Sequence, residues 1–343
     1  MNSSTLISAA LLCAVASPPA SAQSSTQSSV EIYGKISMGF GRANPGTSSA
    51  ANTGQGKPGA SAMQQGQASL LGFRGREDLG DGLYARFKIE HRFSPDTGTP
   101  TFPTFWQGGS IVAIGHKRWG EVYLGREHTP AYNVAITADP TFWSYVSQLG
   151  APYTYAGFNA SAINNGGVLT SMDGTAIRHS NTVGYKSPSF GGFSGEFAVA
   201  AGEGNRKRVY GLNLQYRQGP VMAGLGFDGW DAHNRLYIAS ASYNFGVLRP
   251  IVSVGSAKGG AIATYAARSA TFSVEAPLKG VGRAYGGIGR LDPAGTRNTS
   301  VKLFAGYEHS LSQRTSLYVN VGSAKTEMLT RATAWDIGMT HSF

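Results

Sequence analysis

The sequence predicts an all-β fold, a transmembrane antiparallel β-barrel of about sixteen strands, and three observations carry that expectation. The chain ends on a strand, Ala334 to Phe343, in which Trp335, Ile337, Met339, His341 and Phe343 share one face and Asp336, Gly338, Thr340 and Ser342 the other. About ten residues is the length of a tilted strand crossing of a bilayer core, whereas the last strand of a water-soluble domain is usually short or frayed. The same alternation recurs along the chain, and an apolar amino-terminal segment marks it for export.

The first strand sets the pattern: Val30, Ile32, Ile36, Met38 and Phe40 alternate with Glu31, Tyr33, Lys35 and Ser37. Leu71 and Phe73 then alternate with Gly72, Arg74 and Arg76. Further on, Leu83, Ala85, Phe87 and Ile89 face one way while Arg86, Lys88, Glu90 and Arg92 face the other. Ionic side chains lined along one face of a strand require water on that face. Tyr210, Leu212, Leu214 and Tyr216 oppose Asn213, Gln215 and Arg217, and Leu317, Val319 and Val321 oppose Tyr318 and Asn320. Turn-forming clusters such as Leu79-Gly80-Asp81-Gly82 and Asn244-Phe245-Gly246 separate the runs. Between Val30 and Phe343 about sixteen such runs can be counted, an even number of the size at which a closed barrel keeps a polar interior.

At the amino terminus Leu6 to Ala16 is apolar, Pro18-Pro19 breaks the run, and Ala20-Ser21-Ala22 has the small-x-small form of a cleavage site. Residues 1–22 are therefore expected to be a cleaved signal peptide and 23–343 a single barrel domain. A buried core helix is the alternative, since the run is too short to cross a bilayer as a helix. It lacks the usual preceding Lys or Arg. Cys13, the only cysteine, falls within it, so the exported domain is expected to hold together without disulfides. Beyond it nothing approaches about 18 consecutive apolar residues, which excludes helical membrane spans. Abundant glycine (47), Tyr and Phe at 16 each, and only 14% charged residues suit many twisted strands with aromatic ends.

A water-soluble sandwich also alternates, with inside and outside exchanged. Three features favour the barrel: export, a last strand that runs to the last residue, and aromatics crowding strand ends at Tyr33, Tyr123, Tyr185, Tyr216, Tyr243, Tyr307 and Phe343. Aromatic girdles at both interfaces are what a lipid-facing barrel needs.

In its motifs the chain resembles the Gram-negative general diffusion porins, especially the betaproteobacterial type, over its length after the signal segment. The resemblance is carried by Val30-Glu31-Ile32-Tyr33-Gly34-Lys35, by Leu71-Gly72-Phe73-Arg74-Gly75-Arg76-Glu77-Asp78-Leu79-Gly80, and by Leu124-Gly125-Arg126. It continues in Arg178-His179-Ser180-Asn181-Thr182-Val183-Gly184-Tyr185, in Gly306-Tyr307-Glu308-His309-Ser310-Leu311, and in the terminal Phe343. The resemblance implies a trimeric channel in the outer membrane of a Gram-negative bacterium, whose third external loop folds inward to narrow the bore. It further implies outer-membrane lipid and lipopolysaccharide as surroundings, small hydrophilic solutes and anions as cargo, and the barrel-assembly machinery as a partner. Trp335, Ile337, Met339 and Phe343 are then the expected membrane-insertion signal.

Residues 126–176 form a long stretch without convincing alternation, and so long a connection in a compact domain usually has a function. It is expected to be the constriction loop, with an ordinary external loop as the alternative. Lys35, Arg74, Arg86, Lys88 and Arg178 take the water-facing parity, and the resemblance aligns Lys35 and Arg178 with a basic cluster at the constriction. Opposing carboxylates are expected from Asp139, Asp173 or Glu90. Leu70 stands where the family commonly has an arginine. Charge inside a wet hole in a low-dielectric wall focuses the field, so the formal net charge of +10 predicts anion preference. Part of that charge, such as Arg206-Lys207-Arg208, is alternatively set against lipopolysaccharide.

No enzyme, cofactor or nucleic-acid partner is implied. The seven His are scattered without metal-ligand spacing, and there is no Gly-x-Ser-x-Gly elbow. Gly54-Gln55-Gly56-Lys57 suggests a phosphate loop, but Pro58 replaces the Ser or Thr. A substrate-specific channel is the main rival to open diffusion, and a barrel hydrolase a remote one.

Overall fold

Alternating branched, aromatic and small residues make each run extended, and short links with glycine at left-handed positions, such as Gly80, Gly82, Gly191, Gly219 and Gly246, turn one strand directly into the next. The computed structural model describes residues 29–42, 60–102, 104–158, 177–202, 208–231, 234–259, 266–295, 299–329 and 331–343. The expected signal peptide, Asp173, Arg206 and Lys207 lie outside them. The strands are β1 (Ser29–Arg42), β2 (Ser61–Gln64), β3 (Ser69–Gly80), β4 (Leu83–Ser94), β5 (Thr99–Pro100), β6 (Gly109–His116), β7 (Gly120–His128), β8 (Arg178–Lys186) and β9 (Phe193–Ala200). They continue as β10 (Val209–Gln218), β11 (Val221–Asp231), β12 (Asn234–Tyr243), β13 (Arg249–Lys258), β14 (Ala266–Leu278), β15 (Gly282–Pro293), β16 (Ser300–Ser310), β17 (Thr315–Thr326) and β18 (Ala332–Ser342). Two short helices, α1 (Pro130–Ala135) and α2 (Gly150–Thr154), lie in the long connection between β7 and β8.

Neighbouring strands pair antiparallel. β2 and β3 share one place in the wall, both pairing with β1, and β5 and β6 share another, both pairing with β4. The wall is thus the expected 16-strand barrel. It closes where β18 returns to β1, with Met339 opposite Met38 and Ile337 opposite Phe40. Phe343 adds two backbone hydrogen bonds to Gly34, at 3.0 and 3.1 Å.

Exposure is inverted relative to a water-soluble sandwich. Ile337 is 53% exposed and its neighbour Asp336 1%; Val319 is 43% exposed and Asn320 1%. Phe40, Leu124, Leu212, Leu214, Leu225, Val254, Phe272 and Leu303 are likewise exposed, while Ser37, Asn213, Ser253, Ser273 and Thr340 are buried. A sandwich would bury the apolar parity. Here that parity is the outer surface, as a lipid-facing wall requires.

Much of the inner wall is packed by tyrosines laid over glycines directly across from them. Tyr33 lies over Gly72, Tyr84 over Gly115, Tyr123 over Gly184, Tyr285 over Gly306 and Tyr318 over Gly338. A Cβ on Gly184 would stand 2.1 Å from the Tyr123 ring, and one on Gly72 2.4 Å from that of Tyr33. The hydroxyls of Tyr33, Tyr84 and Tyr123 then donate to Glu90 (3.2 Å), Glu121 (3.2 Å) and Glu196 (2.8 Å). Tyr33 and Tyr123 therefore belong to the bore and not to an aromatic girdle. Nearness to a strand end does not reveal which face a ring takes. Tyr185, Tyr243 and Phe343 are exposed on the outer side, as expected.

The inverted wall makes a direct prediction. Leu225→Arg, at the middle of β11 on the outer face, should lower barrel stability by roughly 2–4 kcal/mol in urea unfolding from lipid vesicles. A cost near zero would show that this face meets water.

Candidate functional site

The inside of the barrel is partly filled by the connection that follows β7. The sequence placed its start at Arg126, but Arg126, Glu127 and His128 remain in β7 and the loop begins at Thr129. A register shift between Gly125 and Glu127, with Gly125 at a φ of 122°, broke the alternation that would have extended the strand. The Thr129 hydroxyl accepts from Tyr132 N (3.3 Å) and Pro130 occupies the first turn, which starts α1. The helix lies against wall glycines: a Cβ on Gly211, Gly224 or Gly226 would meet Pro130, Val134 or Ala131 at 2.5, 3.0 and 2.8 Å.

Polar side chains of the wall hold the loop backbone. Asn213 Nδ2 donates to Pro130 O (2.8 Å), Arg283 Nη1 to Pro140 O (2.7 Å), and Lys302 Nζ to Val146 O (2.9 Å) and Gln148 O (2.6 Å). Asp336 Oδ2 accepts from Val146 N (3.0 Å), and the Tyr155 hydroxyl donates to Asp228 Oδ2 (3.3 Å). These bonds connect β10, β11, β15, β16 and β18 to one segment, so residues 129–158 fold inward instead of projecting outside. The described part of the connection accordingly occupies part of the interior.

Asp139 has a different role from the one its charge suggested. It is fully buried and accepts from Thr141 N (2.9 Å), Thr141 Oγ1 (2.7 Å), Leu149 N (2.6 Å) and Gly150 N (3.0 Å). Burial raises its carboxyl above the usual range, although these hydrogen bonds oppose the shift. It ties the loop to itself and offers no free carboxylate to the bore.

Charges border the space the loop leaves. Register sets Lys35, Leu70 and Arg92 side by side on β1, β3 and β4, so the row that Leu70 thins regains a cation from the next strand. The charge of Arg92 acts on both Lys35 and Arg178. Lys35 Nζ donates to Gln67 Oε1 (2.6 Å), and among the described residues neither Lys35 nor Arg178 has a carboxylate within ion-pair distance. Glu90 is held by Arg92 at 2.8 and 3.0 Å and by the Tyr33 hydroxyl. Farther along β4, Arg86 bonds Glu121 (2.6 Å) and Lys88 bonds Glu127 (2.9 Å). On β15 and β16, Arg283 grips Glu308 at 2.8 and 3.0 Å and approaches Glu275 at 3.4 Å.

The structure therefore places the expected residues unevenly. Lys35, Glu90 and Arg178 come together, and Arg86 and Lys88 line the wall in ion pairs nearby. Arg74 does not join them: it is paired with Glu31 (2.8 Å), both half-exposed, four residues along β3 from Leu70, or roughly 13 Å. Arg92 was visible in parity with Glu90 but not singled out. Arg283 and Glu308 were missed because only the register of β15 on β16 makes them neighbours. Trp335, Ile337 and Met339 on β18, and Phe343 just after it, lie exposed on the outer side.

A closed barrel with an apolar outside, a polar inside and a loop folded into its bore defines a water-filled channel of the outer membrane. The chain belongs to the Gram-negative porin family, whose pattern matches residues 8–328, and it is accordingly a channel protein of the outer membrane and not an enzyme. It is 31% identical over 335 residues to outer membrane porin protein 32 of Delftia acidovorans, covering 92% of this chain and 89% of that one. To an outer membrane porin protein of Bordetella pertussis it is 26% identical, covering 99% of each. Its fold superposes on an anion-selective porin from Comamonas acidovorans with a TM-score of 0.75 at 24% identity, over 92% of this chain and all of that one. A trimer form of OmpT from Vibrio cholerae superposes with a TM-score of 0.65 at 12% identity, over 92% and 99% of the two chains.

Loop anchoring can be tested at Lys302. Lys302→Met keeps the packing volume but leaves the carbonyls of Val146 and Gln148 without their donor, at a cost of roughly 1–3 kcal/mol per buried group. Limited proteolysis of the folded protein should cut within 129–158 faster than in the parent. An unchanged cleavage rate would mean that the wall does not hold the loop there.

Proposed function

We propose that the bore conducts small hydrophilic solutes and ions by open diffusion and prefers anions. The observation that carries this reading is that Lys35 and Arg178, gathered around Arg92 beside the inward loop, have no carboxylate within ion-pair distance among the described residues. In a narrow aqueous path walled by low dielectric, such cations raise the local concentration of anions and repel cations. Support also comes from the formal net charge of +10 and from the similar fold of the anion-selective Comamonas acidovorans porin.

Several further features belong to the same proposal. The chain assembles as a homotrimer, as one structural relative does in its trimer form. It is exported by a signal peptide in residues 1–22, and the Trp335, Ile337, Met339 and Phe343 face is read by the barrel-assembly machinery. Its outer rim meets lipopolysaccharide. Asp173 remains a candidate carboxylate of the constriction, in the part of the loop outside the described residues.

Reversal potentials in a potassium chloride gradient across a planar bilayer test the proposal. The channel should favour chloride, and Lys35→Glu or Arg92→Glu should lower the chloride-to-potassium permeability ratio several-fold. A parent channel that favours potassium would overturn the reading.

A further inference from the structure

Phe142 is 48% exposed although it lies on a loop folded inside the barrel, next to buried Thr141 and three residues from buried Tyr145. Its surface therefore faces the bore, where the face of the ring is open to a passing solute. Phe142, Trp143 and Tyr145 all hold left-handed backbone, with φ of 52°, 56° and 64°. Bulky residues adopt that region at a cost and keep it only where the surroundings impose it. Here Phe142 N donates to Asp139 O (2.9 Å), Ser144 N to Thr141 O (3.1 Å) and Tyr145 N to Gly66 O (2.6 Å).

The strained backbone sets rings in series. Trp143 meets Tyr132 edge to face at 5.1 Å and Tyr155 at 5.4 Å, and Tyr132 stacks on His128 at 4.5 Å. The Arg283 guanidinium lies 5.5 Å from the centre of the Phe142 ring. Cations lie close by: the Tyr145 hydroxyl accepts from Gln67 Nε2, Gln67 Oε1 accepts from Lys35 Nζ (2.6 Å), and Lys35 stands in register with Leu70 and Arg92. One stretch of the bore thus offers an exposed aromatic surface and cations together.

We propose that Phe142 and Trp143 form a stacking shelf for planar aromatic carboxylates, which rest the ring on the shelf and the carboxylate on Lys35 or Arg92 as they pass. The inference rests on the anion-preferring reading of the same constriction and adds a solute class to it. A chloride ion uses only the cations, whereas an aromatic carboxylate uses both features and stays longer.

Benzoate and cyclohexanecarboxylate carry the same charge on rings of similar size, but only benzoate is planar and aromatic. As blockers of chloride current through the purified protein in planar bilayers, benzoate should half-block at a concentration roughly threefold to tenfold lower. Phe142→Ala should bring the two blockers to parity, and Phe142→Tyr, which keeps a ring, should preserve the difference. Equal block by the two in the parent, a difference that survives Phe142→Ala, or its loss in a conducting Phe142→Tyr channel would overturn the shelf. Chloride preference, measured separately by reversal potential in the parent, distinguishes this failure from that of the underlying reading: a chloride-preferring channel that treats the two blockers alike loses only the shelf.

Discussion

The structure depends on one constraint: within hydrocarbon, backbone N–H and C=O groups have no water to bond, so a sheet can cross a bilayer only if it has no open edge. Closure of β18 on β1 meets that requirement, and it reaches the last residue because Phe343 bonds back to Gly34. Once the wall is closed, the period-two alternation of a strand has only one consistent assignment. Apolar side chains take the outside and polar ones the bore, as Ile337 and Asp336 do in adjacent positions.

A polar bore gives the inward loop its partners. Asn213, Lys302 and Asp336 would be costly to bury in an apolar core, but here each bonds a backbone group of residues 129–158. Glycines at 211, 224 and 226 let α1 approach the wall backbone, while the tyrosine and glycine pairs fill other parts of the inner wall. Asp139 is used up in shaping the loop, whereas Lys35, Arg92, Glu90 and the Arg283 to Glu308 pair are charges carried by the wall.

The barrel was legible in the sequence because side-chain parity is a local property. Leu83 to Phe93 announces its wet and greasy faces without reference to any neighbour, and so does the last strand. What depends on register was not legible. Tyr33 and Tyr123 were placed in a girdle because nothing local says that Gly72 and Gly184 lie across from them. Arg74 was grouped with Lys35 on parity alone, and the register separates them along the strand. The charge of Asp139 was visible, but the Leu149 and Gly150 amides that enclose it were not. Arg283 and Glu308 meet only because β15 pairs with β16.

The orientation of the wall is the claim on which the rest stands, and site-directed spin labelling tests it most directly. With Cys13 the sole native cysteine, single cysteines at Leu212, Leu214, Gln215 and Arg217 can each carry a nitroxide in lipid vesicles. Labels at 212 and 214 should relax chiefly by collision with lipid-soluble oxygen, and those at 215 and 217 with a water-soluble nickel chelate. The reversed pattern, or equal access of the chelate at all four positions, would contradict the account.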